Sequence, residues 1–405
     1  MWEQVRSNRI RSIVLVFLMG ALLLLLGYIL GLYFFDSATA GLSIALLLWI
    51  IMSLVGYFQG DSILLTMSGA KKITRDDHPR LYNIVEEMKI ASGLEKMPDI
   101  YIVDDPAMNA FATGRNPQKA SVSVTSGLLQ KLNRDELQGV IGHEIAHVNN
   151  RDVLLMAMCS ILLGTIVILS WHASRFMIFG GMRGSRRGSS SGGGSGQIVI
   201  LVIAVLLMIL APILAQLIYF AVSRKREYLA DASSALYTRY PEGLASALEK
   251  ISTSTEELKS ANKATAPMYI INPFRKRGMA ASDITSTHPP ISERIHILRT
   301  MSGASFSDYN LAYTNTRMSR GGVIPATAVA TVVGAVPLRA AARPEKTKPE
   351  PEPTEIQRAR ETSNVMWKIH DYRTIACDCG TTLRIPPRFK SPTVKCPHCG
   401  KIHRI

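Results

Sequence analysis

The sequence predicts a mainly α-helical, multi-pass membrane protein. A small β-sheet-plus-helix domain lies outside the bilayer, and a compact metal-stapled module closes the chain. Three observations carry this. Long uncharged apolar runs recur through the first half of the chain. His143-Glu144-Ile145-Ala146-His147 lies within an amphipathic stretch. Four of the five cysteines fall beyond residue 376, in two close pairs. The 405 residues suffice for two or three domains at ~100–200 residues each. Lys+Arg of 46 against Asp+Glu of 31 gives a net charge of +15, which suits an anionic membrane surface or nucleic acid. The 47% hydrophobic content is concentrated in the runs, and this excludes a wholly soluble protein. So few cysteines, so placed, exclude a disulfide scaffold.

Ile13–Phe35 carries no charge. At ~1.5 Å rise per residue it can cross a hydrocarbon core of ~30 Å. Ala38–Phe58 is a second such run, separated from the first only by Asp36 and Ser37, and the pair reads as a helical hairpin over 1–60. A cleavable signal peptide is the competing reading, with Arg6, Arg9 and Arg11 as its basic start. The first run exceeds the ~7–15 apolar residues of such a peptide. Val153–Phe179 and Ile198–Val222 are the third and fourth runs. Basic residues before the first run, after the second (Lys71, Lys72, Arg75) and after the fourth (Arg224, Lys225, Arg226) place those flanks in the cytoplasm. Arg183, Arg186 and Arg187 between runs three and four oppose this. That pair therefore reads either as spanning or as a re-entrant hairpin.

Between these runs the composition is globular. Leu81, Ile84, Val85 and Met88 recur at helical spacing. Ile100–Val103, Ala110–Ala112 and Ser121–Val124 read as short strands, the last two joined by a turn over 114–117. Asn133 and Glu136 form a capping-box pattern at the start of the helix that carries the His-Glu-x-x-His residues. Ser185–Gly196 reads as a Gly/Ser-rich loop. Pro325, Gly334 and Pro337 argue against a fifth spanning helix at 321–338, and 344–354 reads as an exposed Pro/Glu/Lys linker.

On a helix, residues four apart share a face, so His143 and His147 can reach one Zn²⁺. Glu144, beside the first of them, is placed to take a proton from water rather than to bind metal. One large protease class has a third histidine six residues after the second, preceded by a glycine. Val153 and Asn150 occupy those positions here. The third ligand must therefore come from elsewhere, and a carboxylate of Glu227-Tyr228-Leu229-Ala230-Asp231 is the candidate, the competing reading being an interfacial charged face after a membrane helix. Glu227 binds the metal in the ligand reading, while Asp231, one turn on, orients a histidine. His147 precedes run three by ~9 Å of helix and Glu227 follows run four by ~7.5 Å, so the two motifs lie at similar heights above one membrane face. His78, His172 and His296 have no motif partner and read as non-ligands.

These motifs, with the hydrophobic layout around them, resemble the HtpX-type membrane metallopeptidases, which are related to the CAAX prenyl proteases. The resemblance covers roughly residues 1–300 and implies a zincin-like catalytic domain over 61–302, facing the cytoplasm of a cell membrane. Asn109-Ala110-Phe111-Ala112-Thr113-Gly114 is similar to the family's edge strand, so Asn109, Ala110, Phe111 and Ala112 are implied to hold a polypeptide substrate by strand addition. Thr287-His288-Pro289-Pro290 with Glu293-Arg294-Ile295 is similar to a segment whose histidine, here His288, helps stabilise the tetrahedral intermediate.

Beyond residue 302 the chain departs from the short members of that family. Residues 303–362 read as a linker and 363–405 as a zinc ribbon. Cys377, Cys379, Cys396 and Cys399 suit a closed, structural Cys₄ site, each pair followed by a turn glycine. His398 or His403 could replace a thiol, and a redox dithiol is the alternative. A second zinc would supply folding energy that a module of this size lacks in its core. The expected function is a membrane zinc endopeptidase acting on misfolded or membrane proteins. Its rivals are a membrane-anchored adaptor with a non-catalytic metal site and an intramembrane protease. The polar flanks of the His-Glu-x-x-His helix speak against the last, and nucleic acid is not an expected partner.

Overall fold

The computed structural model describes residues 2–180, 194–254, 256–259, 269–270, 289–318, 321–331, 336–339 and 352–405. His288, the Gly/Ser-rich loop core and most of the Pro/Glu/Lys stretch lie outside them. Helices α1 (Trp2–Phe35) and α2 (Ala38–Met67) form the expected hairpin. Asp36 turns the chain at φ 49° and the Ser37 hydroxyl accepts from the Ala40 N–H at 3.3 Å. A Cβ on Gly31 would lie 2.5 Å from Gly41 Cα, so the two helices meet backbone to backbone. Only glycine permits that approach.

Strand β1 (Lys71–Ile73), helix α3 (Pro79–Ser92) and strands β2 (Asp99–Val103), β3 (Ala110–Gly114) and β4 (Ala120–Thr125) follow. The sheet order is β1-β2-β4-β3, with β2 and β4 parallel and the outer strands antiparallel. β3 is thus an edge strand. α4 (Ser126–Lys131) leads to α5 (Arg134–Asn149), which begins with the capping box the sequence indicated. Its Leu137, Val140, Ile141 and Ile145 pack with Leu81, Ile84, Val85 and Met88 of α3 in the main core. Each such burial is worth about 1.5–3 kcal/mol.

Arg151, at φ 58°, joins α5 to α6 (Asp152–Gly180). α7 (Gly194–Thr238) is one 45-residue helix, running from an apolar stretch through Pro212 into the globular domain. By length and composition, Ile13–Phe35, Ala38–Met67, Asp152–Phe176 and Val199–Gln216 can each cross a membrane. α8 (Pro241–Thr253), α9 (Ile291–Arg299), α10 (Phe306–Arg317) and the short α11 (Ala326–Thr331) complete the domain.

The stretch read as a linker, 303–362, differs from that expectation. Phe306, Tyr309, Ala312 and Tyr313 of α10 join the main core. Helix α12 (Glu355–Ile369) runs across the expected boundary at 362 and adds Val365 and Met366 to the same core. Arg358 Nε donates to the Gln130 carbonyl at 3.2 Å, and His370 Nε2 lies 2.8 Å from Asp104. Strands β5 (Arg373–Ala376), β6 (Thr382–Ile385), β7 (Thr393–Lys395) and β8 (Ile402–Arg404) form two antiparallel ribbons beyond it.

Candidate metal centre

α5 and α7 position the ligands, and their packing settles which faces meet. His143 and His147 turn toward α7, which presents Glu227. Nε2 of His143 and Nε2 of His147 are 3.2 Å apart, and these atoms lie 3.6 and 3.4 Å from the two Glu227 oxygens. Those separations match the edges of a tetrahedron with bonds of ~2.0–2.2 Å, the geometry of a His₂Glu zinc site. The imidazoles stand edge to face, at 88° between planes. All the residues are buried: His143 is 0% exposed, Glu227 1% and Glu144 2%.

A second tier of charge holds the ligands. Asp231 Oδ1 lies 3.0 Å from His143 Nδ1, and Asp152 Oδ2 lies 3.4 Å from His147 Nδ1. A carboxylate beside each Nδ1 favours the tautomer that presents Nε2 to a metal. Arg294 closes on Asp231 with both Nε and a terminal nitrogen, at 2.8 and 2.7 Å, and reaches Glu227 at 3.4 Å. Arg226 lies 3.4 Å from Asp152. The paired carboxylates control the local proton equilibria. Burial disfavours the charged form of His147, but Asp152 and Glu227 outweigh it and raise its pKa to about 10. Burial likewise opposes ionisation of Asp231, yet Arg294 and His143 hold its carboxyl below the usual range.

Asp231, read from the sequence as the residue that orients a histidine, lies beside His143. The sequence reading assigns no role to Asp152 or Arg294, and it counts Arg226 as a topological charge. Arg226 is 5% exposed and belongs to the site. Its adjacency to Glu227 was the available signal. For Asp152 the signal was an acid opening an apolar helix five residues after His147. His296 and His172 are exposed, and His78 caps α3, its Nδ1 accepting from Leu81 N–H at 3.2 Å.

A narrow cleft opens at the centre, lined by Glu144 and the ligands together with Ala112, Val153, Met156, Tyr269 and Ile270. Of the residues implied to hold substrate, Ala112 faces this cleft. Phe111 packs on Tyr269, with ring centroids 5.2 Å apart, and Asn109 uses its side-chain oxygen to accept from Ala110 N–H at 3.0 Å.

The cysteine module forms a second ligand set. Cys377 and Cys399 sulfurs are 3.4 Å apart, and those of Cys379 and Cys396 are 3.7 Å apart. Tetrahedral Zn–S bonds of ~2.3 Å demand spacings of this size. Gly380 and Gly400 take φ of 84° and 78°, the left-handed turn each knuckle needs. No histidine joins the four sulfurs among the described residues.

Two buried histidines on a capped helix and a buried glutamate on a second helix, with an acid beside the first histidine and apolar helices running into the domain, define a membrane metallopeptidase. The profile described as Peptidase family M48 matches residues 75–302. The chain belongs to peptidase family M48, whose metallopeptidases use zinc. A protease HtpX homolog of Dictyoglomus turgidum is 44% identical over 300 residues, covering 74% of this chain and 94% of that protein. One from Streptococcus mutans is 41% identical over 298 residues, covering 74% and 99%. The crystal structure of S. mikatae Ste24p is a distant neighbour, 20% identical over 74% of this chain and 67% of that one, with a TM-score of 0.40. The family match ends before α10, so α10, α12 and the cysteine module are additions to the matched region. The bilayer and polypeptide substrates are this protein's partners, and an adaptor with an idle metal site is not favoured.

Proposed function

We propose that the chain cleaves misfolded or membrane polypeptides at the His143–His147–Glu227 centre, on the cytoplasmic side of a cell membrane. One observation carries this reading: the donor atoms stand at tetrahedral spacing with the Glu144 carboxylate in the same cleft. Bound there, Zn²⁺ supplies Lewis-acid polarisation of the scissile carbonyl and acidifies an attacking water. His143, His147 and Glu227 hold the ion. Asp231 and Asp152 lock the imidazole tautomers. Glu144 takes the water's proton on its carboxylate and passes it to the leaving amine. His288 is the proposed stabiliser of the tetrahedral species, and β3 the edge to which substrate adds. The cytoplasmic assignment rests on the basic flanks, of which Arg226 no longer counts.

The cysteine module holds a second, structural zinc in this proposal and serves as a site for an as yet undefined partner. The peptidase unit is 61–302. The described geometry of α10 and α12 attaches the later residues to it. The test uses the purified full chain in detergent with a denatured test protein. Cleavage should require zinc, stop with chelator and return with zinc added back. Zinc-loaded protein that cleaves nothing would overturn the reading.

A further inference from the structure

We infer that Tyr269 and Ile270 form a resident cap on the substrate edge of β3, fixing where a substrate strand begins and walling the subsite beside the metal centre. The inference rests on the peptidase reading above and deepens it. The starting point is the hydrogen-bond alternation of β3. Thr125 N–H donates to the Asn109 carbonyl at 3.0 Å, so residues 109, 111 and 113 turn their backbone groups toward β4. Residues 110, 112 and 114 turn theirs outward, to the side an added strand would use.

The first outward rung is already occupied. Ala110 N–H is satisfied by the Asn109 side chain, and its carbonyl accepts from Ile270 N–H at 3.1 Å. The cap is anchored on both sides. Tyr269 is 1% exposed, stacks edge-on to Phe111 and brings its hydroxyl within 3.4 Å of Ser68 Oγ. The Ile270 carbonyl accepts from Arg294 at 3.3 Å, the same guanidinium that clamps Asp231 and reaches Glu227. The cap is thereby tied both to the substrate edge and to the ligands.

The next outward rung is Ala112. Among the described residues no backbone group bonds to Ala112 on that side, and its side chain lines the cleft with Glu144. A substrate strand therefore pairs from Ala112 toward Gly114 and cannot slide past Ala110. Its side chain between the scissile bond and the Ala110 end meets Ile270, Tyr269 and Met156. That wall is made of apolar side chains and an aromatic ring, so it selects a side chain by size.

The experiment maps cleavage sites by mass spectrometry. Zinc-loaded full-length wild type, Ile270→Ala and Ile270→Phe each digest the same denatured test protein, and zinc content checks the folded centre. The cap predicts that preference moves at one substrate position only. Ile270→Ala should admit larger side chains there and Ile270→Phe smaller ones, each by roughly tenfold in relative cleavage. Should Ile270→Ala not retain zinc, Ile270→Val gives the same comparison in a smaller step. Identical profiles in all proteins, or a uniform rate change without a shift in preference, would overturn the cap while leaving the peptidase reading intact. Absence of cleavage by zinc-loaded wild type overturns both, so the two failures are told apart.

Discussion

The two ligand clusters differ in what surrounds them. His143, His147 and Glu227 are at most 7% exposed and sit inside a tier of Asp152, Arg226, Asp231 and Arg294, all of them buried. Cys379 and Cys399 are exposed, and the apolar residues behind the sulfurs are few: Leu383, with Ile375 and Val394 at the margin. In the first region the fold holds the metal. α5 and α7 are packed by their own cores, and the charged tier aligns ligands that would keep their places without an ion. In the second, under the structural zinc proposed above, the metal would hold the fold, because two two-stranded ribbons bury too little to stand alone.

The largest effect should separate these cases. Structural zinc contributes ~10–16 kcal/mol in zinc-finger peptides. Cys396→Ser should therefore abolish amide protection across residues 373–405 in hydrogen exchange, while α5 keeps its protection. Loss of α5 protection as well would break the division. The charged tier comes next. Arg294→Met leaves Asp231 buried without its guanidinium, a change that costs about 3–5 kcal/mol. Denaturant unfolding should show that loss, and an unchanged midpoint would mean the clamp is not what aligns the site.

Protons give a subtler test. A histidine with a raised folded pKa stabilises the fold fully below its unfolded value. The gain is lost as pH rises through the folded value. For His147 that window runs from 6.5 to about 10 in the metal-free protein. Zinc needs neutral imidazoles, so binding near pH 7 must release protons, and affinity should rise with pH across this window, by roughly tenfold per unit for each proton released. Calorimetry in buffers of different ionisation enthalpy measures the release. None at pH 7 would contradict the pairing with Asp152 and Glu227. The smallest effect is the control. Lys72 and Asp99 pair at 2.9 Å, but both are more than half exposed. Lys72→Ala should cost about 0–1 kcal/mol, far less than the buried clamp.

What the sequence reveals follows the range of the interaction. The capping box of α5 and the two-histidine face lie within one helix and are legible as spacing. The Glu227–Asp231 pair is legible because its types and spacing suit a ligand and its support. Arg294 is not, since its partner is 63 positions away and an arginine in a polar helix reads as surface. α12 hides for a similar reason: its sequence is polar and follows a Pro/Glu/Lys stretch, and only contact with α4 shows that Val365 and Met366 are core. Tyr269 and Ile270 belong to no regular element, so no periodicity marks them.

The central claim is that the buried centre is a catalytic zinc site in which Glu144 moves protons and binds no metal. Glu144→Gln tests it most directly, with zinc content and proteolysis measured on the same purified full-length protein. A general base is worth roughly 10²–10⁴ in rate. The account predicts full zinc occupancy of the His₂Glu site with cleavage of a denatured test protein reduced by at least that lower bound. Wild-type cleavage by Glu144→Gln, or loss of zinc together with activity, would contradict it.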